Sequence, residues 1–328
     1  MQVGWHINSS EIPKSMVDEF LATQRDQTFF QSHSFIELYK KDKFQTLNLI
    51  GVSKNKVVAY CNVLILKESY GILSSLTSRA IIWGGPLALL DVYFEEALIK
   101  LKAELEKIAI YLQIRNIFPT SQVRREILSS QGILYQEHFT VINQVTQNLF
   151  ASYQSKARNK IRKSIKNDLT FQLITQHEQI EKAGILIIQN YKEMKLPCPS
   201  INFFKQTSSF DDIKVFGVFH NSVLIGVRIC ISWNDYLYDW YAGSNKKYNY
   251  LSPNDLIVHK ILEWGYENGY ITFDFGGAGN SKSEYGVRDF KLKFGGDLVE
   301  YGRNEIIFQT NKFKLGKLGF QILKKLRK

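Results

Sequence analysis

A chain of 328 residues with 45% hydrophobic and 22% charged side chains has the composition of a folded protein with two units of about 150 residues each, which excludes a disordered, collagenous or coiled-coil chain. No apolar run approaches the roughly 18 to 20 residues of a membrane span. The opening MQVGWHINSSEIPK lacks the basic start and apolar stretch of a secretory leader. Three distant cysteines, Cys61, Cys198 and Cys230, argue against a disulfide framework or a zinc site and set the expectation of a reducing, cytoplasmic setting. The net charge of +11 is concentrated: residues 151–170 carry six basic side chains and one Asp, residues 310–328 carry seven and no acid, and the rest is close to neutral. Clustering of this kind points to an anionic partner, which is phosphate, nucleic acid or an acidic membrane surface.

In chain order, Ser34 and Glu37 have capping-box spacing and open a short helix. TLNLIGV and VVAYCNVLIL are β-rich runs joined at Ser53–Lys56 as a hairpin. AIIWGGPL is a strand entering a Gly-Gly-Pro turn. Asp91 is the expected cap of a long amphipathic helix to about Ile110, followed by the strand YLQIRN, a helix near 121–130, and GILYQEHFTVINQV as the closing strand. The second half opens on a basic helix at about 152–167, then the strand LTFQLIT and a helix at 177–194. After Leu196–Ser200 and a short helix around 201–208 comes a three-strand meander, IKVFGVFH, SVLIGVRICISW and YLYDWYAGS. Ser252 before Pro253 is a strong helix start; that helix stops at Gly269, before the strand YITFDF. The order predicts an α/β protein with mixed sheets, a domain at 1–148, a second at 149–309, and a basic amphipathic tail at 310–328.

The chain has no GxxxxGK[ST], HExxH, GxSxG or GxGxxG after a strand, and metal-dependent chemistry is not expected. Three places are candidates. In Tyr236–Ser244, strand alternation predicts Asp239, Tyr241 and Gly243 on one face. Asp239 and Tyr241 then either line a cleft or sit on a partly exposed sheet face with Asp239 bonded to a neighbouring strand. The strand ending at Asp274 breaks into Gly276, Gly277 and Gly279, whose bare backbone suits close approach by a ligand. In Phe290-Lys291-Leu292-Lys293-Phe294-Gly295-Gly296, with Arg288 upstream, a lysine between apolar anchors could aim an ammonium at developing negative charge.

YDWYAGS, the helix SPNDLIVHKILEWGYENGY, FDFGGAG and FKLKFGG, in this order and spacing, resemble the second half of the Fem family, aminoacyl-tRNA-dependent peptidyltransferases acting on peptidoglycan precursors. TFFQSHSFIELYKK, IIWGGPL and SKARNKIRKSIKNDLTF extend the resemblance over about residues 27–303. It implies tandem GNAT-like (N-acetyltransferase-like) domains, here without the helical arm that some members insert, since helix 177–194 is of ordinary length. It implies Lys291 at the acyl-transfer centre; Asp239 and Tyr241, from the strand alternation above, are the further catalytic candidates. Arg158 and Arg162, four apart on one helix face, and Lys163 are the expected phosphate contacts. Ser244, Asn254, Asp274, Gly276, Gly277, Arg288 and Phe290 complete the expected substrate-binding set. The family's early lysine falls at Tyr39 or Lys40.

The implied reaction moves an aminoacyl or acyl group onto an amino group of a phosphorylated cell-envelope precursor. No cofactor is held permanently, and the donor is aminoacyl-tRNA or acyl-CoA. The stretch Asn245–Asn254 before the helix has no glycine, which weakens the CoA reading, because a pyrophosphate is usually held on a Gly-rich turn before a helix N-terminus. The alternatives are an acyl-CoA-dependent N-acyltransferase acting on an amino sugar or polysaccharide precursor and, more distantly, a non-catalytic tRNA- or membrane-binding protein. Leu315, Leu318, Ile322 and Leu326 form a helical stripe amid lysines, which either meets an anionic membrane or docks on the first domain. The expected location is the cytoplasm, at the inner face of the membrane if that tail binds lipid.

Overall fold

The computed structural model describes residues 2–40, 42, 44–66, 78–282 and 285–326, with side chains in the last helix described to Gly319. In chain order the elements are β1 (Gly4–Ile7), α1 (Lys14–Ala22), α2 (His33–Tyr39), β2 (Gln45–Ser53), β3 (Lys56–Leu66), β4 (Arg79–Trp83), β5 (Leu87–Ala88), α3 (Asp91–Ile108), β6 (Tyr111–Arg115), α4 (Gln122–Ser130) and β7 (Leu134–Gln136). There follow β8 (Phe139–Gln144), α5 (Leu149–Ser152), α6 (Ser155–Lys166), β9 (Thr170–Leu173), α7 (His177–Glu193), α8 (Ile201–Gln206), β10 (Ile213–His220), β11 (Val223–Trp233) and β12 (Tyr236–Ser244). The chain ends with α9 (Pro253–Glu267), β13 (Thr272–Gly277), α10 (Gly286–Leu292), β14 (Asp297–Glu300), β15 (Arg303–Ile307) and α11 (Thr310–Leu326).

Two compact units result. The first comprises Met1–Lys40, Phe44–Glu137 and Tyr301–Lys328; the second comprises Lys41–Lys43 and His138–Glu300. The first sheet has the order β1-β2-β3-β4-β6-β15-β7, with β5 also on β3; the second has β14-β8-β13-β12-β11-β10-β9. Each contains one parallel pair among its described strands, β4 with β6 and β12 with β13. Each such pair is joined by a helix, α3 or α9, because parallel neighbours need a crossover that a tight turn cannot supply.

The two sheets also share an exchange that moves the expected boundaries. β6-β15-β7 in one corresponds to β13-β8-β14 in the other. β8, expected to close the first domain, hydrogen-bonds to β13 and β14 in the second sheet. β15 lies within the expected second domain but pairs with β6 and β7 in the first sheet. The run read as one strand, GILYQEHFTVINQV, is therefore two strands in two sheets, and the chain enters the second unit at His138 instead of near 148. Partners far away in sequence decide this, and the strand pattern of 139–144 is the same with either set.

The meander and hairpin strands follow the sequence closely. β3 is buried at every position after Lys56, the pattern of a central strand covered on both faces. Its core is completed by Phe94, Ala97, Leu98, Leu101 and Leu105 of α3, spaced at three and four. In the second unit, α9 and α6 pack their apolar faces with Phe216, Val218, Cys230, Leu237 and Phe273. Helix starts are less faithful to the sequence. The cap of α2 is Ser32, whose Oγ accepts from Phe35 N, and not Ser34. Asp91 is the first helical residue of α3 and pairs with Arg124. Ser252 adopts a left-handed conformation (φ 58°) and makes no side-chain cap.

Candidate active site in the second unit

The centre of the second sheet is β12, and its regular alternation fails where chemistry was expected. Ile229 of β11 pairs with Tyr241, but the adjacent Cys230 pairs with Asp239, so Trp240 is an extra, bulged residue. Directly opposed residues share a face, and Ile229 and Cys230 point to opposite faces. The bulge therefore separates Asp239 from Tyr241, correcting the expectation of a common face. Tyr241 packs among Phe203, Phe204 and Tyr191. Gly243 faces α7, where a Cβ would lie 3.0 Å from the Ile187 backbone.

On the other face, Asp239 Oδ2 accepts from Arg228 Nη1 of β11. The two side chains are 7% and 8% exposed. Burial pushes the Asp239 carboxyl above its ordinary range, against the pull of Arg228 and Lys291. Asp239 Oδ1 and Arg228 Nε are buried with no hydrogen-bond partner, an unusual state for charged groups. Arg228 escaped the sequence reading. Its signal was available: a lone cation in the otherwise apolar run VLIGVRICI, on a strand buried on both faces.

Pairing between β12 and β13 runs from Tyr236–Thr272 to Tyr238–Asp274 and no further, although both strands continue. Asp274 sits at this divergence, 2% exposed. It accepts from Thr140 Oγ1 (2.5 Å) and Gly276 N (2.7 Å) on one oxygen and Tyr236 Oη (3.0 Å) on the other. A carboxylate so thoroughly bonded anchors the turn and is not a free base. Gly276 then takes φ +67°, with the Tyr238 hydroxyl 3.1 Å from where a Cβ would be, a position for which glycine is suited.

Lys291 reaches this turn from α10. Its Nζ donates to the carbonyl oxygens of Phe275 (2.6 Å), Gly276 (3.1 Å) and Gly277 (2.8 Å). All three ammonium donors are thereby engaged. The residue is 8% exposed, and burial lowers its pKa to about 8 against the opposing pull of Asp239 and Asp274. Arg288 holds the same loop through the carbonyls of Ala278 and Asn280 and lies 5.6 Å from the Phe139 ring centroid. Phe290 packs edge-on against Phe294, with Lys293 Nζ 4.0 Å from its centroid. Lys293 itself makes a buried ion pair with Asp255 Oδ1 at 2.5 Å, a second feature that the sequence reading passed over.

The basic helix α6 turns Ala157, Ile161 and Ser164 inward, with Ser164 Oγ donating to Leu251 O at 2.7 Å. Arg158 is spent locally, donating to the carbonyls of Tyr153 and Ala151 and to Ser155 Oγ. Arg162 is exposed and stands 5.5 Å from the Phe150 ring; Lys163 is exposed beside it. None of the three is a polar partner of Lys291, so the expected joining of guanidinium pair and ammonium is not made by direct contact. Ser244 and Asn254 do meet, Asn254 Nδ2 donating to Ser244 Oγ at 3.0 Å. In the first unit, Tyr39 is buried against Phe35 and Phe44, and Lys40 is an exposed helix end. That unit also holds a cavity of about 310 Å³ beside Gly84, Gly85, Asn116, Ser121 and Arg124, which the sequence reading did not foresee. Among the described residues, no three His, Cys, Asp or Glu side chains converge as metal ligands.

Residues 151–292 match the family model described as "Acetyltransferase (GNAT) domain". The fold is that of tandem GNAT proteins. The crystal structure of FemX superposes with a TM-score of 0.67 at 16% identity, covering 96% of this chain and 99% of that one. L-PGS from Bacillus licheniformis gives 0.58 at 12% identity, over 94% and 97% of the two chains. A tandem GNAT protein from the clavulanic acid biosynthesis pathway also gives 0.58, at 10% identity, over 94% and 99%. No curated protein matches the chain. The match over 151–292 makes the second unit an acyltransferase domain of GNAT type. Within it α7 spans 17 residues, and no coiled-coil arm is inserted among the described residues.

Proposed function

We propose that the protein transfers an aminoacyl group from aminoacyl-tRNA to an amino group of a phosphorylated cell-envelope precursor, in the cytoplasm. The observation that carries this reading is a buried ammonium, Lys291, fixed where the parallel strands β12 and β13 stop pairing. The acceptor amine attacks the ester carbonyl, the C–N bond forms, the C–O bond to the ribose breaks, and the amine's proton leaves with the ribose hydroxyl. Charge accumulates on the carbonyl oxygen in between. Because carbonyls occupy all three Lys291 donors, its contribution is the field of a fixed cation in a low-dielectric site, a kind of preorganised stabilisation worth several kcal/mol, by analogy with about 3 for one oxyanion donor. Arg162 and Lys163, exposed on α6, are available for phosphate.

The donor choice rests on α9. A pyrophosphate would use free N–H groups and the positive end of the helix. Here Pro253 removes one donor, the N–H groups of Asp255 and Leu256 both donate to Ser252 O, and the buried Asp255 carboxylate already occupies the first turn. Each feature disfavours CoA. The acyl-CoA alternative retains one support, the acetyltransferase description of the matched domain. Purified protein given a nucleotide-linked amino-sugar peptide, with charged tRNA or with acetyl-CoA, tests the reading. Amide product from charged tRNA alone supports it; product from acetyl-CoA alone refutes it.

A further inference from the structure

Helix α11 is attached to the first unit at its start and exposes Leu315 and Leu318 beyond it. Gln309 Nε2 donates to Glu106 O at 3.2 Å, and Phe313 packs edge-on against Tyr111 with centroids 5.2 Å apart. Leu315 and Leu318, one turn apart, are 58% and 53% exposed. Docking of this stripe on the first unit, one of the two sequence expectations, therefore fails at these two positions. Helical spacing continues the stripe to Ile322 and Leu326, whose side chains lie outside the described residues. Lys312, Lys314 and Lys317 are exposed around it, and residues 310–328 contain seven basic side chains and no acid.

Charge and apolarity together select the occupant. RNA or an acidic protein surface would neutralise the lysines yet leave the leucines in water. A second copy of the helix would cover the leucines but set like charges against one another. An anionic bilayer satisfies both, since a helix in the interface plane buries its apolar face among the acyl chains while basic groups meet headgroup phosphates. We infer that α11 docks the protein on a negatively charged membrane, with Leu315 and Leu318 immersed and Lys312, Lys314 and Lys317 at the phosphate level. Docking stands or falls independently of the chemistry of the second unit.

The test is co-sedimentation of the intact protein with phosphatidylcholine vesicles, with and without an equal share of phosphatidylglycerol. Binding should require phosphatidylglycerol and weaken with salt. Leu315→Glu/Leu318→Glu should reduce it by at least about tenfold, since insertion strength follows buried apolar area. Lys312→Gln/Lys314→Gln/Lys317→Gln should reduce it on the order of a hundredfold at low salt, three surface charges being removed. Unchanged circular dichroism and melting would show that both variants remain folded. Failure of the intact protein to bind anionic vesicles overturns the inference. So does binding that survives the leucine change, or binding of mixed tRNA with the vesicles ignored.

Discussion

Replacing Lys291 with Met should change how stability varies with pH, and the sign follows from burial. The ammonium ionises at about 8 in the folded protein against an ordinary 10.5. Below pH 8 both states are protonated and the full cost of burying the charge is present. Between 8 and 10.5 the folded state gives up its proton first, the unfolded chain binds more protons, and stability rises with pH. At 1.36 kcal/mol per pKa unit the rise is about 3 kcal/mol across that window. Lys291→Met removes this component and adds a loss of its own, because the buried carbonyls of Phe275 and Gly276 lose this donor, at about 1–3 kcal/mol for a group left unsatisfied. Urea unfolding followed by tryptophan fluorescence suits the second unit, which holds Trp233, Trp240 and Trp264. Wild-type stability should climb relative to the variant from pH 8 to 10.5. Parallel curves would refute a buried, depressed lysine. If the ammonium is the active form, transfer should also fall as pH rises through about 8.

Arg228→Met should destabilise the second unit by about 3–5 kcal/mol at neutral pH, since it leaves Asp239 as a buried charge without its ion-pair partner; a loss below 1 kcal/mol in urea titration would contradict the pairing. Lys293→Met should be costly in the same way, and Lys293→Met/Asp255→Leu should regain most of the loss, because removing both members of a buried pair is often near neutral. A double-mutant cycle in calorimetry reads that coupling directly. Gly296→Ala should cost about 1–3 kcal/mol, as the added methyl would clash with Asn143 Oδ1 and lie 2.8 Å from Ile142 O; an unchanged melting temperature would count against the tight approach of this turn to β8. Expression of residues 138–300 should give a folded unit and 149–309 an insoluble one, because the latter lacks β8 between β13 and β14; equal solubility would contradict the exchange.

Much of this was legible in the residues, for local reasons. Hairpin strands, the meander, Pro253 at a helix start and the glycine breaks after Asp274 are set by neighbours in sequence. Lys291, which the resemblance singled out, lies on α10 and reaches that glycine turn. What escaped was set by distant partners. Nothing in FTVINQ says that it pairs with 272–277 and 297–300, and nothing in RNEII says that it returns to the first sheet. A single bulged residue, Trp240, reversed the face of Asp239 relative to Tyr241, since a register change of one residue turns every later side chain over. The resemblance implied Arg158 as a phosphate contact, but its guanidinium is taken by nearby carbonyls. Asp274 read as an open ligand and is closed by Thr140, Tyr236 and Gly276.

The most direct measurement is single-turnover transfer from a radiolabelled aminoacyl-tRNA to a nucleotide-linked amino-sugar peptide, comparing wild type with Lys291→Met. The variant should be assayed at a temperature where calorimetry shows it folded, with acceptor affinity measured alongside. The account predicts labelled amide product from the wild type, and acceptor binding within about twofold but a rate lowered by at least a hundredfold in the variant, the scale of losing one oxyanion-stabilising group. A folded variant that transfers at the wild-type rate would contradict it.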